Sequence, residues 1–554
     1  MLIWKTTAVF KIALLIWVLV IGIGLTASAQ TTLSDEQLIR LALAVDSGNY
    51  VAVQKLVEQE ITIKENEKSW VLGNLLRIAA GKGHVEVTNY LIKGGADMDL
   101  QFTDDSACAL HFAAATGHEE VVKLLVEAGA KLDLRQTDGT TALLYASAKG
   151  YIGIVKYLVV KGADVNAADA NGVTSLMRAV EQGQYSLAQL LLENEAEIDA
   201  RRRMHGATPL MLACINGNIE LTQLLIKNGA DVNAKIYTAT PLYLSCSDSV
   251  EKLEIVELLV LQGVNVNAIT DSGHTALSAA SLHGYYNTVK YLLEHEADIN
   301  INAPVYLATI LNHQDLVRLL LENGGDLEAR NENKETALLT AVRSNFNTLV
   351  RFLIDKGADV NATNKIDGYS CLNLASSDGN KEIVVLLVES GAKLNFPNKF
   401  DGYTPLHYAI QKQHVSVAHY LIEQGADVNA PRTEGVSPLM TAAGLGTIDL
   451  VKKLVENGAD VNAKEELSVL MLASLFGNLN IVKYLIANGA DVNAKADYDN
   501  TALMTASVQG YLVIVKYLIE KGADPKLINK GGDTALDYAR QKGHHEIIEY
   551  LKSY

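Results

Sequence analysis

Apolar residues in this chain follow a helical beat that restarts about every 33 positions. Each period is marked by a leucine, an alanine three residues on and, in most periods, a glycine seven residues on. The markers fall at Leu41, Leu76, Leu110, Leu143, Leu176, Leu210, Leu242, Leu277, Val305, Leu338, Leu372, Leu406, Leu439, Leu470, Leu503 and Leu536. One period, TTALLYASAKGYIGIVKYLVVKGADVNAADANG at 140–172, predicts two short helices. Thr141 is a good N-cap. Sister periods place a proline next, as in Thr208-Pro209, Thr240-Pro241 and Thr404-Pro405. Proline suits the first helical position because its missing N–H would have no partner there. Leu143 and Ala146 share one helical face, and Gly150 stops the helix after about two turns. A second helix near 152–161 carries Ile154, Val155, Leu158 and Val159 as one apolar stripe and ends at Gly162.

The hexapeptide GADVNA closes this period and recurs letter for letter at 229, 357, 425, 458 and 489. It begins where the second helix stops. Glycine supplies a left-handed cap, alanine packs small beneath it, valine points inward, and Asp and Asn bond nearby backbone in the turn. One carboxylate, with no bidentate acid at a fixed offset, does not make a calcium loop. The position three after the marker is Ala in every period but one, where it is Ser245. A lone helix does not need that uniformity. Helices pressed side by side do, because a larger side chain would force neighbours apart in a close-packed interior.

The pattern resembles the ankyrin repeat family. Thr404-Pro405-Leu406-His407-Tyr408-Ala409 carries the family's helix-opening motif, and the period, the helix-turn-helix and the Gly-Ala-Asp-Val-Asn close all agree with it. The resemblance covers roughly residues 33–554. It implies an all-α repeat solenoid: about sixteen stacked units, capping units included, joined by β-hairpin fingers. It also implies protein binding on a concave face made by fingers and first helices, and no catalysis. The chain departs from the family where the helix-opening His becomes Met177, Met211, Met440, Met471 or Met504, which replaces a bond to the cap by apolar packing. Helices packed at roughly 8–10 Å would give a stack on the order of 130–160 Å along its arc.

Expected segments are a signal peptide at 1–29, an N-terminal capping unit at 30–66, the solenoid at 67–532 and a C-terminal capping unit at 533–554. Ser34-Asp35-Glu36-Gln37 is a capping-box pattern, and the chain stops inside a final helix, so both ends read as true ends of the stack. Two periods break step. Between Leu277 and Val305 the step is 28, and the finger is the part expected to be missing. The Leu242 period has two extra residues near 247–252. Either change would bend the stack or bound a partner site, unless it is neutral loop drift.

The first residues differ in kind. Lys5 and Lys11 precede or flank the apolar run IALLIWVLVIGIGL at 12–25, and Ala27-Ser28-Ala29 is a small-x-small cleavage pattern before Gln30. This predicts export, to the periplasm or outside the cell. An uncleaved anchor facing outward is the alternative, and membrane contact would then be through 1–29 alone. The run of 14 is short of the roughly 20 residues of a span. Its removal takes the formal charge from −17 to −19. That acidity argues against nucleic acid, since phosphate contacts need clustered Lys and Arg. Export would permit disulfides, yet Cys214 and Cys246 hold equivalent positions in adjacent periods, about one helix diameter apart and too far for a bridge. Cys108 and Cys371 lie in distant periods. All four read as small apolar fillers.

No catalytic, cofactor or metal pattern stands out. The thirteen His are scattered; His84, His118 and His544 follow a helix-ending glycine, a structural slot. Zinc spacing, a nucleophile elbow and a phosphate loop are all lacking. The finger tips carry more: Arg201, Arg202, Arg203, Tyr237, Lys365, Tyr369, Lys399, Phe400, Tyr403 and Arg432. Basic and aromatic residues thus gather at one edge of an acidic chain, and Tyr and Arg are types that dominate interface energetics. The expectation is a monomeric scaffold gripping an acidic or extended protein partner. Against it stands the plain reading that hairpins accept any polar residue and that Tyr caps finger packing.

Overall fold

The computed structural model describes residues 32–101, 105–433 and 435–554. Among them are thirty-two α-helices in alternating pairs, a first helix of mostly seven or eight residues and a second mostly of nine. The helix Pro209–Asn216 shows why they start and stop where they do. Thr208 Oγ1 accepts the Met211 N–H at 3.4 Å, Pro209 takes the first position, and Gly217 at φ 71° ends it. The helix Ile219–Lys227 follows at once, and its Leu221 and Leu225 are buried.

The glycine that ends a first helix answers two needs. At Gly379, φ is 75°, and a Cβ would lie 2.4 Å from His414 Nδ1 of the next pair. The His414 Nε2–H donates to Ser377 O at 2.9 Å, tying one pair to the next. His84, His313 and His544 make the same bond to Asp46 O, Leu282 O and Val508 O. His84 and His544 thus fill the slot expected of the His that follow glycine, and His313 and His414 fill it after Asn312 and Gln413; His118 packs on Gly83 in the same place, without that bond among the described residues.

The described residues fall into two compact units, one running up to residue 279 and including 287–297, the other of 280–286 with 298–554. In each, first helices pack on the first helices of neighbouring pairs, and second helices on second helices. The alanine row runs through the middle. In the first unit Ala79, Ala113, Ala146, Ala179 and Ala213 are buried; in the second, so are Ala308, Ala341, Ala375, Ala409, Ala442, Ala473, Ala506 and Ala539. Ser245 belongs to the same row, and its hydroxyl is satisfied by Pro241 O at 2.9 Å. Ala44, in the first pair, is only half-buried.

GADVNA does more than punctuate. Asp460 N–H donates to Asn429 Oδ1 at 2.8 Å, while Asn429 Nδ2 donates to Gly458 O at 2.9 Å. The Asn of one copy therefore clamps the Gly and Asp of the next. Asn462 repeats the clamp on Asp491 and Gly489, and Asn493 on Asp524 and Gly522. Asp460 Oδ1 meanwhile accepts the Asn462 N–H at 2.9 Å inside its own turn. The turn bond was expected; the clamp between pairs was not. Valine is less inward than expected: Val360 and Val428 are buried, but Val165, Val232, Val461 and Val492 are half-exposed.

The fingers are turns rather than strands. The described residues contain four isolated β-bridges, such as Ala168 with Thr174 and Thr363 with Ser370, and no strand. Each arm is too short to build a ladder, and neighbouring fingers share single bonds: Arg203 N–H to Asn171 O at 2.8 Å, Lys365 N–H to Asn333 O at 2.9 Å. At the short step the finger is missing as expected. The helix Pro304–Ile310 begins directly after Asn302 and Ala303, at φ 61° and 51°. The extra residues of the Leu242 period serve packing. Lys252 is buried, with Nζ donating to Ile215 O at 2.6 Å and to Asp248 Oδ2 at 2.7 Å, in the slot that His fills elsewhere.

Cys108, Cys214, Cys246 and Cys371 are all buried and unbridged. Burial pushes the thiols of Cys214 and Cys246 up to about 12, so they stay protonated.

Candidate protein-binding surface

The finger edge differs between the two units. In the first, Arg202 pairs with Glu181, which also receives Arg178 Nη1 at 3.6 Å. Arg178 Nη2 in turn lies 3.1 Å from Asp169 Oδ2, whose side chain is nearly buried. Arg201 Nη1 donates to Lys235 O at 3.0 Å. Arg201 and Arg203 are both exposed, and the Arg203 guanidinium has no partner among the described residues. Tyr237 stands out at 74% exposure, its hydroxyl 3.1 Å from His205 Nδ1.

In the second unit the fingers at 365–368, 399–402 and 432–435 stand in sequence. Lys365 and Lys399 are exposed, and Lys399 Nζ lies 4.9 Å from the Phe400 ring centroid. Phe400 is 60% exposed. Their acids face inward: Asp367 Oδ2 is 3.3 Å from Arg343 Nη2, and Asp401 accepts the Tyr408 hydroxyl at 2.8 Å. Tyr369 and Tyr403 are half-buried, each about 5 Å from the Tyr408 ring (5.0 and 5.1 Å between centroids). For these two tyrosines the plain reading holds, since they cap finger packing. Burial and the bond to Asp401 raise the Tyr408 pKa, keeping the hydroxyl a donor.

Tyr403 also has an outward role. Arg432 Nη1 donates to its hydroxyl at 2.8 Å, and the guanidinium carbon sits 5.4 Å from the ring centroid. Together they wall a groove of about 930 Å³. Its floor comes from three successive first helices, Pro405–Gln411, Pro438–Leu445 and Val469–Leu475, and includes Met440, Gly444, Leu445, Leu472 and the exposed Phe476. Glu465 and Glu466 form the far wall. His407 supports the near wall from beneath. Its Nδ1 accepts the Thr404 N–H at 3.3 Å, so Nε2 carries the proton and donates to Val436 O at 3.3 Å. Burial is the main cause that brings the His407 pKa down to about 4, which keeps the ring neutral.

Of the ten sequence candidates, the groove gathers Tyr403 and Arg432. Lys365, Tyr369, Lys399 and Phe400 lie on the two preceding fingers. Arg201, Arg202, Arg203 and Tyr237 belong to the first unit and stand apart from the groove's lining. Sequence reading missed Gly444, Leu445, Leu472 and Phe476. A signal was present: the position six after the marker is polar in every period except for Leu311, Leu445 and Phe476, and the last two are in adjacent periods.

No cluster of His, Cys, Asp and Glu fit for a metal ion occurs among the described residues. No helix among them is long and apolar enough to cross a membrane, and the leader expected at 1–29 lies outside them. Comparison with curated proteins finds no match. The family model described as ankyrin repeats, in three copies, matches residues 41–136, 128–203, 210–303, 302–364, 346–432, 372–465, 429–496 and 470–554.

Proposed function

Because the chain belongs to the ankyrin repeat family, whose members generally mediate protein–protein interaction, we propose that it is a non-enzymatic scaffold. It binds a protein partner through the face formed by fingers and first helices. The observation that carries this is the groove walled by Tyr403 and Arg432, where apolar side chains stay open to solvent beside an arginine–tyrosine pair. Groove, aromatic anchor and arginine together are the features of an interface hot spot. About sixteen repeats with short finger turns form the working surface, and the chain acts as a monomer.

Residues 1–29 place the scaffold outside the cytoplasm, in the periplasm or secreted. The second reading, a structural repeat protein tethered to the membrane by an uncleaved leader, is favoured by the apolar run at 12–25. N-terminal sequencing of the exported chain separates the two. A start at Gln30 supports release, and an intact Met1 supports the tether. Binding is tested by capture from the exported fraction, with wild-type chain beside Arg432→Ala/Phe476→Ala. A partner held by the first and lost by the second is the expected result; equal capture by both removes this face from the reading.

A further inference from the structure

Stacking alone does not account for three features around the groove. First, Gly444 lies inside the helix Pro438–Leu445 with ordinary helical backbone. Glycine is a poorer helix former than alanine, and at this next-to-last helical position a Cβ would meet only Phe476 Cε2, at 3.7 Å. The space is open, and a larger residue would close it. Second, Leu445 and Phe476 stand where most repeats carry a polar residue facing water. Third, the charge of the finger tips reverses at the groove. On one side are Lys365, Lys399 and Arg432, with Glu434 after the last; on the other, Glu465, Glu466, Asp497 and Asp499 outnumber Lys464 and Lys495. Lys365, Lys399, Glu465 and Glu466 make no ion pair among the described residues, while Asp367 and Asp401, the acids of the fingers at 365 and 399, are engaged inward. Lys464 turns along the acidic side toward Lys495 O at 3.5 Å.

The proposal rests on the reading of this face as protein-binding. We propose that the groove receives a linear protein segment of divided charge. Its carboxylates lie over Lys365, Lys399 and Arg432. A single apolar side chain enters above Gly444, between Leu445 and Phe476. Its basic side chains lie over Glu465, Glu466 and Asp497. The fingers at 365, 399, 432, 465 and 497 are four repeat steps of roughly 8–10 Å each, which an extended segment covers with about 10–12 residues. A uniformly acidic segment would meet repulsion beyond the groove, and a uniformly basic one before it. Like-charge juxtaposition of that kind is how a surface rejects a wrong partner.

A library of random 12-residue linear peptides, displayed and panned on the full chain, tests this. Clones are kept if Gly444→Leu releases them. That variant fills the groove without crowding the helix, and its melting curve is expected to match or exceed the wild type. Phe476→Ser, at an exposed position, is the second groove variant. The expected clones carry acids on one side of an apolar residue and bases on the other. Glu465→Lys/Glu466→Lys weakens them at least tenfold and selects clones with acids on both sides. Groove-dependent clones of uniform charge, or clones indifferent to the Glu465/Glu466 reversal, overturn the divided-charge proposal and leave the binding face standing. If Gly444→Leu and Phe476→Ser release no clone at all, both the proposal and the functional reading fall.

Discussion

At the finger of residues 201–206 arginine belongs to the fold; at the fingers of 365–368 and 399–402 it is the acids that do. Arg202 closes on Glu181, and Arg201 reaches a neighbouring finger's carbonyl. In the second unit Asp367 and Asp401 turn inward to Arg343 and Tyr408, leaving Lys365 and Lys399 to solvent. Similar letters at the same place in the repeat therefore present different surfaces. The difference comes from the first helix underneath, which offers acids (Glu181, with Asp169 nearby) in one case and donors (Arg343, Tyr408) in the other.

The largest expected effect concerns the support of each edge. Under the groove wall His407 is held neutral, with a pKa of about 4 against an ordinary value of 6.5. The unfolded chain takes up this proton first as pH falls. The stabilisation is therefore complete above pH 6.5 and is lost progressively down to about 4, amounting to about 3 kcal/mol at most. Under the arginine finger the equivalent slots hold Met177 and Met211, both buried, and no such slope is expected there. Amide exchange at 404–411, followed from pH 7 to 4, should show the loss. His407→Met should flatten it, and an unchanged slope in that variant would assign the acid sensitivity elsewhere. His111, also lowered by burial, adds a slope of the same sign around Cys108 and Leu134 in the first unit.

Next comes affinity. Arg432→Ala/Phe476→Ala is expected to weaken partner binding at least tenfold, about 1.4 kcal/mol, whereas Arg203→Ala should change it less than about threefold, as rim charges do. Calorimetry with the captured partner decides, and a larger effect at Arg203 would reverse the ranking of the two edges. A smaller effect is expected in stability. Glu181→Ala leaves Arg178 and Arg202 facing each other and should lower unfolding stability by about 1 kcal/mol, a figure held down by partial solvent screening. Urea unfolding measures it. Smallest of all, Lys365→Ala and Lys399→Ala should stay within about 0.5 kcal/mol. A larger loss in the same urea experiment would show that these lysines, too, belong to the fold.

Much of the fold was legible because its rules are local or strictly periodic. Thr208 before Pro209 starts a helix wherever it occurs, and Gly217 stops one. The alanine row reports close helix contact because no other residue fits it repeatedly. The missing finger before Pro304 could be counted from the step length. The candidate surface was legible only in part. The basic and aromatic letters were visible, but whether each faces solvent depends on a partner one repeat away. Arg202 and Arg432 look alike in the chain, yet one meets Glu181 and the other stacks on Tyr403. The GADVNA clamp escaped for the same reason: Asn429 reaches past its own turn to Asp460.

The sequence by itself determined the helix pairs, their caps, the apolar stripe and the stacked architecture, since each follows from dihedral preference, hydrogen-bond bookkeeping at helix ends or the period of burial. Only the tertiary structure decided which charges neutralise one another, where Gly444 and Phe476 leave an opening, and that the fingers remain turns. Those outcomes depend on distances between side chains on different elements, such as Asp401 and Tyr408, 7 positions apart, or Arg343 and Asp367, 24 apart, which packing sets and which no local preference encodes.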